Sequence, residues 1–283
     1  MADEYEGPRT YPEGVPCWVD AKQSDVRAGA EFYGVLFGWE FIEAGQPGED
    51  QPYLFAQLDG RDVGALEPVA PGQPGAAWIS YIACDDIEDA CLRIERAHGL
   101  VGVPPADAGP YGRGALCTDP QGAVFGLWQA GAHPGSQIVN VPGAWNFSDL
   151  HTPDAAAALA FYGEVFGWQV DPGLGSGMIR LPGYGDHLAS TVDPGIHERQ
   201  ALAPPGFADV IAGLTVDPRA PGAAWEIRFS VADRDKSAAD AERLGATVQS
   251  RADGEWTRDA VIIDPQGARL VLSQFTPPDA AGF

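Results

Sequence analysis

The chain has 283 residues, of which 45% are apolar, so it is long enough for two globular domains that each bury a core. Its 40 acidic and 17 basic side chains give a formal net charge of −23. That charge argues against nucleic acid and anionic membranes as partners, because both attract clustered Lys and Arg. The N-terminus is acidic and no apolar run reaches membrane-spanning length, so the sequence predicts a cytoplasmic protein without a signal peptide.

The first half alternates short strands with two helices after a polar N-terminal arm, residues 1–14. Ser24 or Asp25 is placed to cap the first helix, and Gly38 is placed to end it. The predicted helices span 24–37 and 85–98, and a loop at 71–75 separates their units. The predicted strands are 16–22, 40–45, 53–59, 62–68, 77–83, 100–104, 114–118 and 123–129. Residues 15–130 therefore form a first module of two strand–helix–three-strand units.

A Gly/Pro-rich linker, residues 131–144, precedes a second module at 145–277 and a tail at 278–283. The predicted helices of the second module span 154–166 and 233–244. Its predicted strands are 146–151, 168–171, 177–181, 187–193, 224–231, 247–250, 259–263 and 268–274. The stretch 194–215 has no counterpart of equal length in the first module, and we interpret it as a lid or an edge-covering loop.

Three sequence blocks occur twice in the same order, which indicates an internal duplication. Phe32-Tyr33-Gly34 with Phe37-Gly38-Trp39 returns as Phe161-Tyr162-Gly163 with Phe166-Gly167-Trp168. Pro74-Gly75-Ala76-Ala77-Trp78 returns as Pro221-Gly222-Ala223-Ala224-Trp225. Asp119-Pro120-Gln121-Gly122-Ala123 returns as Asp264-Pro265-Gln266-Gly267-Ala268. The repeat aligns equivalent positions, so each half tests what the other suggests.

The helix with FYG and FGW, the strands that follow it and the DPxG turn before the last strand resemble the vicinal oxygen chelate superfamily of glyoxalases, bleomycin-resistance proteins and extradiol dioxygenases. The resemblance covers about residues 14–277 and is nearest to the tandem-module type of actinobacteria. It implies an α+β fold: a tandem duplication of paired βαβββ units forming two cupped mixed β-sheets with helices outside. Fold alone does not name a reaction.

The resemblance also implies where metal ligands would lie, midway along the first strand of a unit and a few residues beyond the DPxG turn. Trp18 and Phe147 occupy the first place, and Gly126 and Val271 occupy the second. None of these side chains supplies the imidazole, carboxylate or thiolate that divalent cations require. The sequence therefore predicts that the family's metal centre is absent and that no cofactor is bound. The four cysteines form no CxxC pair, which predicts reduced, buried thiols.

Three polar residues are candidates for chemistry. Asp20 and Asp149 are equivalent in the repeat and lie two residues beyond the lost ligand positions, so strand alternation directs them to the same face. Each is either a hydrogen-bonding or general-base group for a ligand or a carboxylate tied to a turn. His151 is either a proton carrier or an end-of-strand surface histidine.

Five aromatic residues are candidates for a ligand cleft. Trp18 and Phe147 replace metal ligands, Trp128 shares a face with Gly126, and Tyr111 and Trp256 are equivalent before a late strand. Aromatic walls with few charges suit a flat, mainly apolar small molecule held by stacking. The alternative is that these rings fill a closed core.

Three functions remain open. The favoured hypothesis is a metal-free binding protein for a planar aromatic antibiotic or similar molecule, because proteins of this layout occur as accessory factors in anthracycline-type pathways. The second is a cofactor-independent isomerase, cyclase or lyase that uses Asp or His as acid and base. The third is a metal-dependent lyase or dioxygenase with displaced ligands. Expected partners are a small aromatic ligand and a tailoring enzyme of the same pathway, with the chain a monomer or a homodimer.

Overall fold

A computed structural model describes residues 7–44, 52–70, 75–174, 177–201 and 203–277. Contacts between residues divide the chain into two compact units. Unit 1 comprises Met1–Trp18, Ser80–Gly135 and Ser148–Trp225. Unit 2 comprises Val19–Ile79, Ser136–Phe147 and Glu226–Phe283. Each unit thus draws residues from both halves of the duplicated sequence.

The first half of the chain forms one mixed eight-stranded sheet with two helices, α1 (Val26–Phe37) and α2 (Ile87–Arg96). Its strands are β1 (Pro16–Gln23), β2 (Glu40–Ala44), β3 (Tyr53–Leu58), β4 (Arg61–Pro68), β5 (Ala77–Ala83), β6 (Leu100–Asp107), β7 (Gly112–Thr118) and β8 (Val124–Ala130). The strand order is β2-β3-β4-β1-β5-β8-β7-β6. β1 is parallel to β4 and β5 is parallel to β8, whereas the hairpins β3–β4 and β7–β8 are antiparallel.

The second half repeats this plan. Its helices are α3 (Ala155–Phe166), α4 (Tyr184–Thr191), α5 (Ile196–Arg199) and α6 (Arg234–Arg243). Its strands are β9 (Trp145–Thr152), β10 (Gln169–Val170), β11 (Met178–Arg180), β12 (Val210–Val216), β13 (Ala224–Ser230), β14 (Thr247–Asp253), β15 (Thr257–Ile263) and β16 (Arg269–Phe275). The order β10-β11-β12-β9-β13-β16-β15-β14 matches the first sheet strand for strand. The predicted α+β fold with a tandem duplication is confirmed.

The repeated helices begin and end as the sequence predicts. Asp25 caps α1 by accepting hydrogen bonds from the backbone N–H groups of Arg27 and Ala28. Asp154 caps α3 in the same way through the N–H of Ala157. Both helices end at a glycine in the left-handed conformation, with φ of 76° at Gly38 and 74° at Gly167, where a side chain would be strained.

The predicted strand at 187–193 is wrong. The helix α4 occupies that stretch, and the fourth strand of the unit is β12, which lies largely inside the predicted lid at 194–215. Tyr184 and Leu188 are buried four residues apart, which is the spacing of one helix face. The remainder of the stretch carries α5 and a short 3₁₀ turn, Phe207–Asp209.

Each unit has its own core, built from one half of each module. In unit 1 the core joins α2 and its strands to α3, with Ile87, Phe125 and Tyr162 fully buried. In unit 2 it joins α1 and its strands to α6, with Tyr33 and Phe229 fully buried. Each core therefore contains helices from both halves of the duplicated sequence.

The four cysteines are free and buried, as the sequence predicts. All four lie in unit 1. No helix in the described ranges is both long and apolar enough to cross a membrane. Residues 1–6 of the predicted arm, 45 of the second strand, 71–74 of the loop and the tail 278–283 lie outside the described residues.

Candidate functional site

The three repeated sequence blocks meet in one buried hydrogen-bond chain in unit 2. The Trp78 Nε1–H donates to the Tyr33 hydroxyl at 3.0 Å, and that hydroxyl donates to Asp264 Oδ2 at 2.8 Å. The other oxygen of Asp264 accepts the backbone N–H groups of Gln266 and Ala268 and so closes the DPxG turn. Gln23 Nε2 also donates to Asp264 Oδ2.

Unit 1 contains the same chain from the other copies of the blocks. The Trp225 Nε1–H donates to the Tyr162 hydroxyl at 3.1 Å, which donates to Asp119 Oδ2 at 3.2 Å. The pKa of Tyr33 and of Tyr162 lies well above the ordinary value. Burial is the larger cause, and the nearby aspartate charge is the second. The blocks that reveal the duplication therefore place their shared Trp, Tyr and Asp side chains in the two cores.

Two predicted ligand residues come together in unit 1 around a histidine. The rings of Trp18 and His133 meet edge to face, with centroids 4.4 Å apart. The Trp128 Nε1–H donates to the His133 carbonyl at 2.8 Å, and the two ring centroids are 6.0 Å apart. Trp18 is 3% exposed and His133 6%, whereas Trp128 is only half-buried. Trp128 is therefore the accessible tryptophan of this cluster.

Glycines on the neighbouring strands leave room for two rings to lie against the sheet. A Cβ built on Gly126 would lie 2.0 Å from the ring of Tyr81, its partner in the β5–β8 register. A Cβ on Gly112 would lie 2.8 Å from the Trp128 ring, and one on Gly114 would lie 3.6 Å from it. We call Trp18, Tyr81, Trp128 and His133 the aromatic face of unit 1.

Tyr111 lies at the accessible edge of this face. Its side chain is 38% exposed, and its carbonyl accepts the backbone N–H groups of Gly131 and His133. The turn at Gly109–Tyr111 thereby fixes the loop that carries His133 beneath Trp128. Tyr111 and Trp128 are therefore the two partly exposed rings at this edge.

The equivalent face of unit 2 carries charges. When the two modules are aligned on the repeated blocks, Arg228 of the second corresponds to Tyr81 of the first. In the same alignment Asp259 corresponds to Gly114, and Ser273 corresponds to Trp128. Arg228 Nη1 donates to Asp259 Oδ2 at 2.6 Å, and the Ser273 hydroxyl donates to Asp259 Oδ1 at 2.7 Å. This hydrogen-bonded network makes the two faces chemically unlike.

The other candidates are distributed over both units. In unit 2, Asp20 is 2% exposed on β1, opposite Ala65 of β4, and Phe147 is half-buried on β9. Trp256, also in unit 2, is 42% exposed and stacks on Phe275 at 6.3 Å. Neither Phe147 nor Trp256 belongs to the aromatic face of unit 1.

Asp149 and His151 form a second polar pair in unit 1. Both lie on β9, and a carboxylate oxygen of Asp149 and a ring nitrogen of His151 lie within 4.8 Å of each other. Glu226 of unit 2, 5% exposed, forms an ion pair with Arg269, and its strand β13 follows β9 in the sheet order. Imidazole and carboxylate are donors for both proton transfer and divalent metals.

The positions at which the family resemblance implies metal ligands do not fit a metal. The ring of Tyr81 covers Gly126, and Val271 is 1% exposed and has no donor atom. Trp18 packs its ring against His133 instead of presenting a ligand. Within unit 1, Asp149 and His151 offer the donor chemistry that a cation needs.

Sequence reasoning missed three of these residues. His133 lies in the predicted linker 131–144, five residues after Trp128, and no motif marks that it folds back on this ring. Tyr81 becomes significant only through its register with Gly126. Glu226 carried a readable signal, because it is an acidic residue placed directly after the repeated Trp225 and before the apolar Ile227.

Comparison with known proteins agrees with this architecture. Residues 19–127 match the model of the Glyoxalase/Bleomycin resistance protein/Dioxygenase superfamily, and residues 147–273 match that of the Glyoxalase-like domain. A putative glyoxylase of Mycobacterium tuberculosis (strain CDC 1551 / Oshkosh), CFP32, is 36% identical over 91% of this chain and 94% of its own length. The chain belongs to the glyoxalase/bleomycin resistance protein/dioxygenase superfamily. The anthracycline biosynthesis protein DnrV of Streptomyces peucetius is 32% identical over 96% of this chain and 98% of its own.

Solved structures share the fold at low sequence identity. The Mn(II)-bound glyoxalase from Novosphingobium aromaticivorans has a TM-score of 0.58 and 16% identity, over 94% of this chain and 84% of that one. The 2,2',3-trihydroxybiphenyl 1,2-dioxygenase of Sphingomonas wittichii has a TM-score of 0.54 and 13% identity, over 93% and 91%. These likenesses support the superfamily fold and leave the chemistry to the residues of this chain.

Proposed function

We propose that this superfamily member binds a planar aromatic small molecule without changing it, at the aromatic face of unit 1. The observation that carries the proposal is Trp128, a half-buried ring whose indole N–H is held by the His133 carbonyl and whose plane lies over glycines. A ring fixed in this way loses little conformational entropy when a flat molecule stacks on it.

The relatives support the same ligand class. Besides DnrV, the anthracycline biosynthesis protein DauV of Streptomyces sp. (strain C5) is 31% identical over 91% of this chain and 92% of its own length. Their names connect sequences of this length and arrangement with a pathway whose products are flat, fused aromatic rings. The net charge of −23 also favours a neutral or cationic ligand over an anionic one.

We further propose one binding site per chain. The positions in unit 2 that correspond to Tyr81, Gly114 and Trp128 hold the Arg228–Asp259–Ser273 network. Burying an ion pair under an apolar ligand removes water from both charges at a free-energy cost that stacking does not return. The aromatic face of unit 1 therefore binds, and its counterpart does not.

A titration with daunorubicin tests this function. We expect saturable quenching of tryptophan fluorescence with one ligand per chain and recovery of unaltered ligand. Trp128→Leu should weaken binding at least tenfold, or about 1.4 kcal/mol, because the stacking surface is lost. Phe275→Leu, an aromatic change on the corresponding last strand of unit 2, is the matched control and should leave the affinity unchanged. Equal affinity in the wild type and in Trp128→Leu would refute the proposed site.

A cation-dependent activity is the second candidate, and the Asp149–His151 pair is the observation that favours it. These two side chains would hold a divalent cation, which supplies Lewis-acid activation of a bound oxygen when present. Without a cation, the imidazole and the carboxylate are both groups that can transfer protons.

Metal analysis separates these candidates. A cation-dependent protein should retain about one equivalent of Mn²⁺ or Zn²⁺ after dialysis, and Asp149→Asn and His151→Gln would then be compared with the wild type. His187→Gln, which changes a histidine of α4, is the matched control. Metal retention equal in the wild type and in His151→Gln would exclude the pair as a binding site.

A further inference from the structure

The aromatic face of unit 1 continues along β8 towards the start of that strand. Val124 lies four residues before Trp128, so strand alternation directs both side chains to one face of the sheet. Phe125, which alternates with them, is fully buried in the core of unit 1. Gly126 lies midway between Val124 and Trp128, and the Tyr81 ring covers it. The surface from Trp128 to Val124 is therefore formed by two rings and an aliphatic side chain.

The strand register extends this surface to β7 and β6. Leu116 of β7 is paired with Gly126, and Val103 of β6 is paired with Leu116. Leu100 of β6 and Val124 of β8 are both paired with the last residue of β7. Paired residues of neighbouring strands direct their side chains to the same face. We call Leu100, Val103, Leu116 and Val124 the apolar strip.

The apolar strip is partly exposed to solvent. Leu100 is 64% exposed and Val124 is 42% exposed, whereas Val103 and Leu116 are half-buried. The strip spans about 10 Å across two strand spacings, and Val124 lies about 13 Å along β8 from Trp128. Covering apolar surface of this kind is favourable in proportion to the area removed from water. The strip is therefore a source of binding free energy beside the aromatic face.

The second module shows that the fold does not need apolar side chains at these positions. Unit 2 has polar residues at three of the four corresponding positions. Thr247, Ser250 and Arg269 stand there in place of Leu100, Val103 and Val124. Arg269 forms an ion pair with Glu226. The two sheets nevertheless have the same strand order, so the apolar residues of the strip are not a requirement of the architecture.

Exposed apolar residues that the fold does not require indicate contact with another molecule. Isolated ones are common on protein surfaces, but these four share one face and adjoin the aromatic face at Gly126. The strip carries no charge, whereas its counterpart in unit 2 carries Arg269, so the matching group is neutral and apolar. A molecule that stacks on Trp128 reaches the strip across the Tyr81 ring. One ligand can therefore cover both surfaces.

We propose that the molecule bound at the aromatic face carries a neutral hydrocarbon substituent, an alkyl or acyl chain, and that this chain lies along the apolar strip. The inference rests on the proposed function, because Trp128 holds the planar part of the ligand. The chain passes over the Tyr81 ring and covers Leu116, Val124 and Leu100. The ligand class thereby narrows from planar aromatic molecules to those with an apolar chain.

Two homologues of a neutral fluorescent probe, 6-propanoyl- and 6-hexanoyl-2-(dimethylamino)naphthalene, test the proposal on the full-length protein. They share the planar ring system and differ by three methylenes in the acyl chain. The measured quantity is the ratio of their dissociation constants. We expect the hexanoyl homologue to bind at least tenfold more tightly, because the strip buries its additional methylenes. Val124→Arg and Leu100→Thr, which introduce the residues of unit 2, should each reduce the ratio below about threefold.

The matched controls make the same substitutions at exposed helix positions outside the strip. Val35→Arg changes a residue of α1 that is 69% exposed, and Leu92→Thr changes one of α2 that is 48% exposed. Both should keep the wild-type ratio, whereas Trp128→Leu should weaken both homologues.

The outcomes separate the strip from the aromatic face. A wild-type ratio near one, or a ratio unchanged in Val124→Arg, would overturn the proposal while the loss of binding in Trp128→Leu still supports the aromatic face. Failure of both homologues to bind the wild type would refute the aromatic face and the strip together.

Discussion

Removing the hydroxyl of Tyr33 tests how the repeated blocks stabilise unit 2. Tyr33→Phe leaves the Trp78 N–H, in a side chain that is 5% exposed, without an acceptor. It also removes one donor from Asp264 Oδ2, which keeps Gln23. An unsatisfied buried N–H costs about 1–3 kcal/mol and the lost bond to a carboxylate about 1.5–3 kcal/mol, and the retained Gln23 contact reduces the second amount. We expect a net loss of about 2–4 kcal/mol.

The assay is urea denaturation with two probes, tryptophan fluorescence and far-ultraviolet circular dichroism, because two units need not unfold together. Tyr162→Phe, the same change in unit 1, should cost somewhat less, because Trp225 is only half-buried and water can reach its N–H. The double variant Tyr33→Phe/Trp78→Phe should cost less than the sum of the two single variants, because the donor and its acceptor are then removed together. A loss below about 0.5 kcal/mol in Tyr33→Phe would refute the role of the hydrogen-bond chain.

Three further predictions follow from buried groups. Gly126→Ala should destabilise the protein by about 1–3 kcal/mol in the same assay, because its Cβ would overlap the Tyr81 ring; an unchanged midpoint would contradict the overlap. The free energy of unfolding should fall as pH rises above about 10, because the folded protein keeps Tyr33 protonated at a pH where the unfolded chain releases the proton. The slope of the free energy of unfolding against pH should be smaller in Tyr33→Phe. Equal slopes in the two proteins would contradict this linkage. The four thiols should react with a thiol reagent only on unfolding, since burial raises their pKa, to about 12 in Cys84; rapid labelling of the folded protein would contradict their burial.

Much of the fold was readable because its signals are local. Asp25 and Gly38 mark the ends of α1 by their own backbone chemistry, and the repeat transfers the assignment to α3. The strand predicted at 187–193 failed because its helix is defined by burial of Tyr184 and Leu188, and that burial depends on the N-terminal arm packing from far away in the sequence. Such a long-range contact leaves no mark in the local pattern.

The candidate site was readable only in part. The family resemblance and strand alternation made Trp18 and Trp128 candidates for the same cleft, and in the structure both contact His133. The relation between Tyr81 and Gly126 depends on the register of two parallel strands, which no short motif encodes. The repeat aligns Tyr111 with Trp256. The faces beside these two residues nevertheless differ, because unit 2 has Ser273 at the position that Trp128 occupies in unit 1.

The most direct test of the account is the stoichiometry and the fate of daunorubicin bound to the purified protein. The account predicts one molecule bound per chain, binding lost in Trp128→Leu and kept in Phe275→Leu, and ligand recovered with an unchanged mass. Binding that is unaffected by Trp128→Leu, or recovery of a chemically altered ligand, would contradict it.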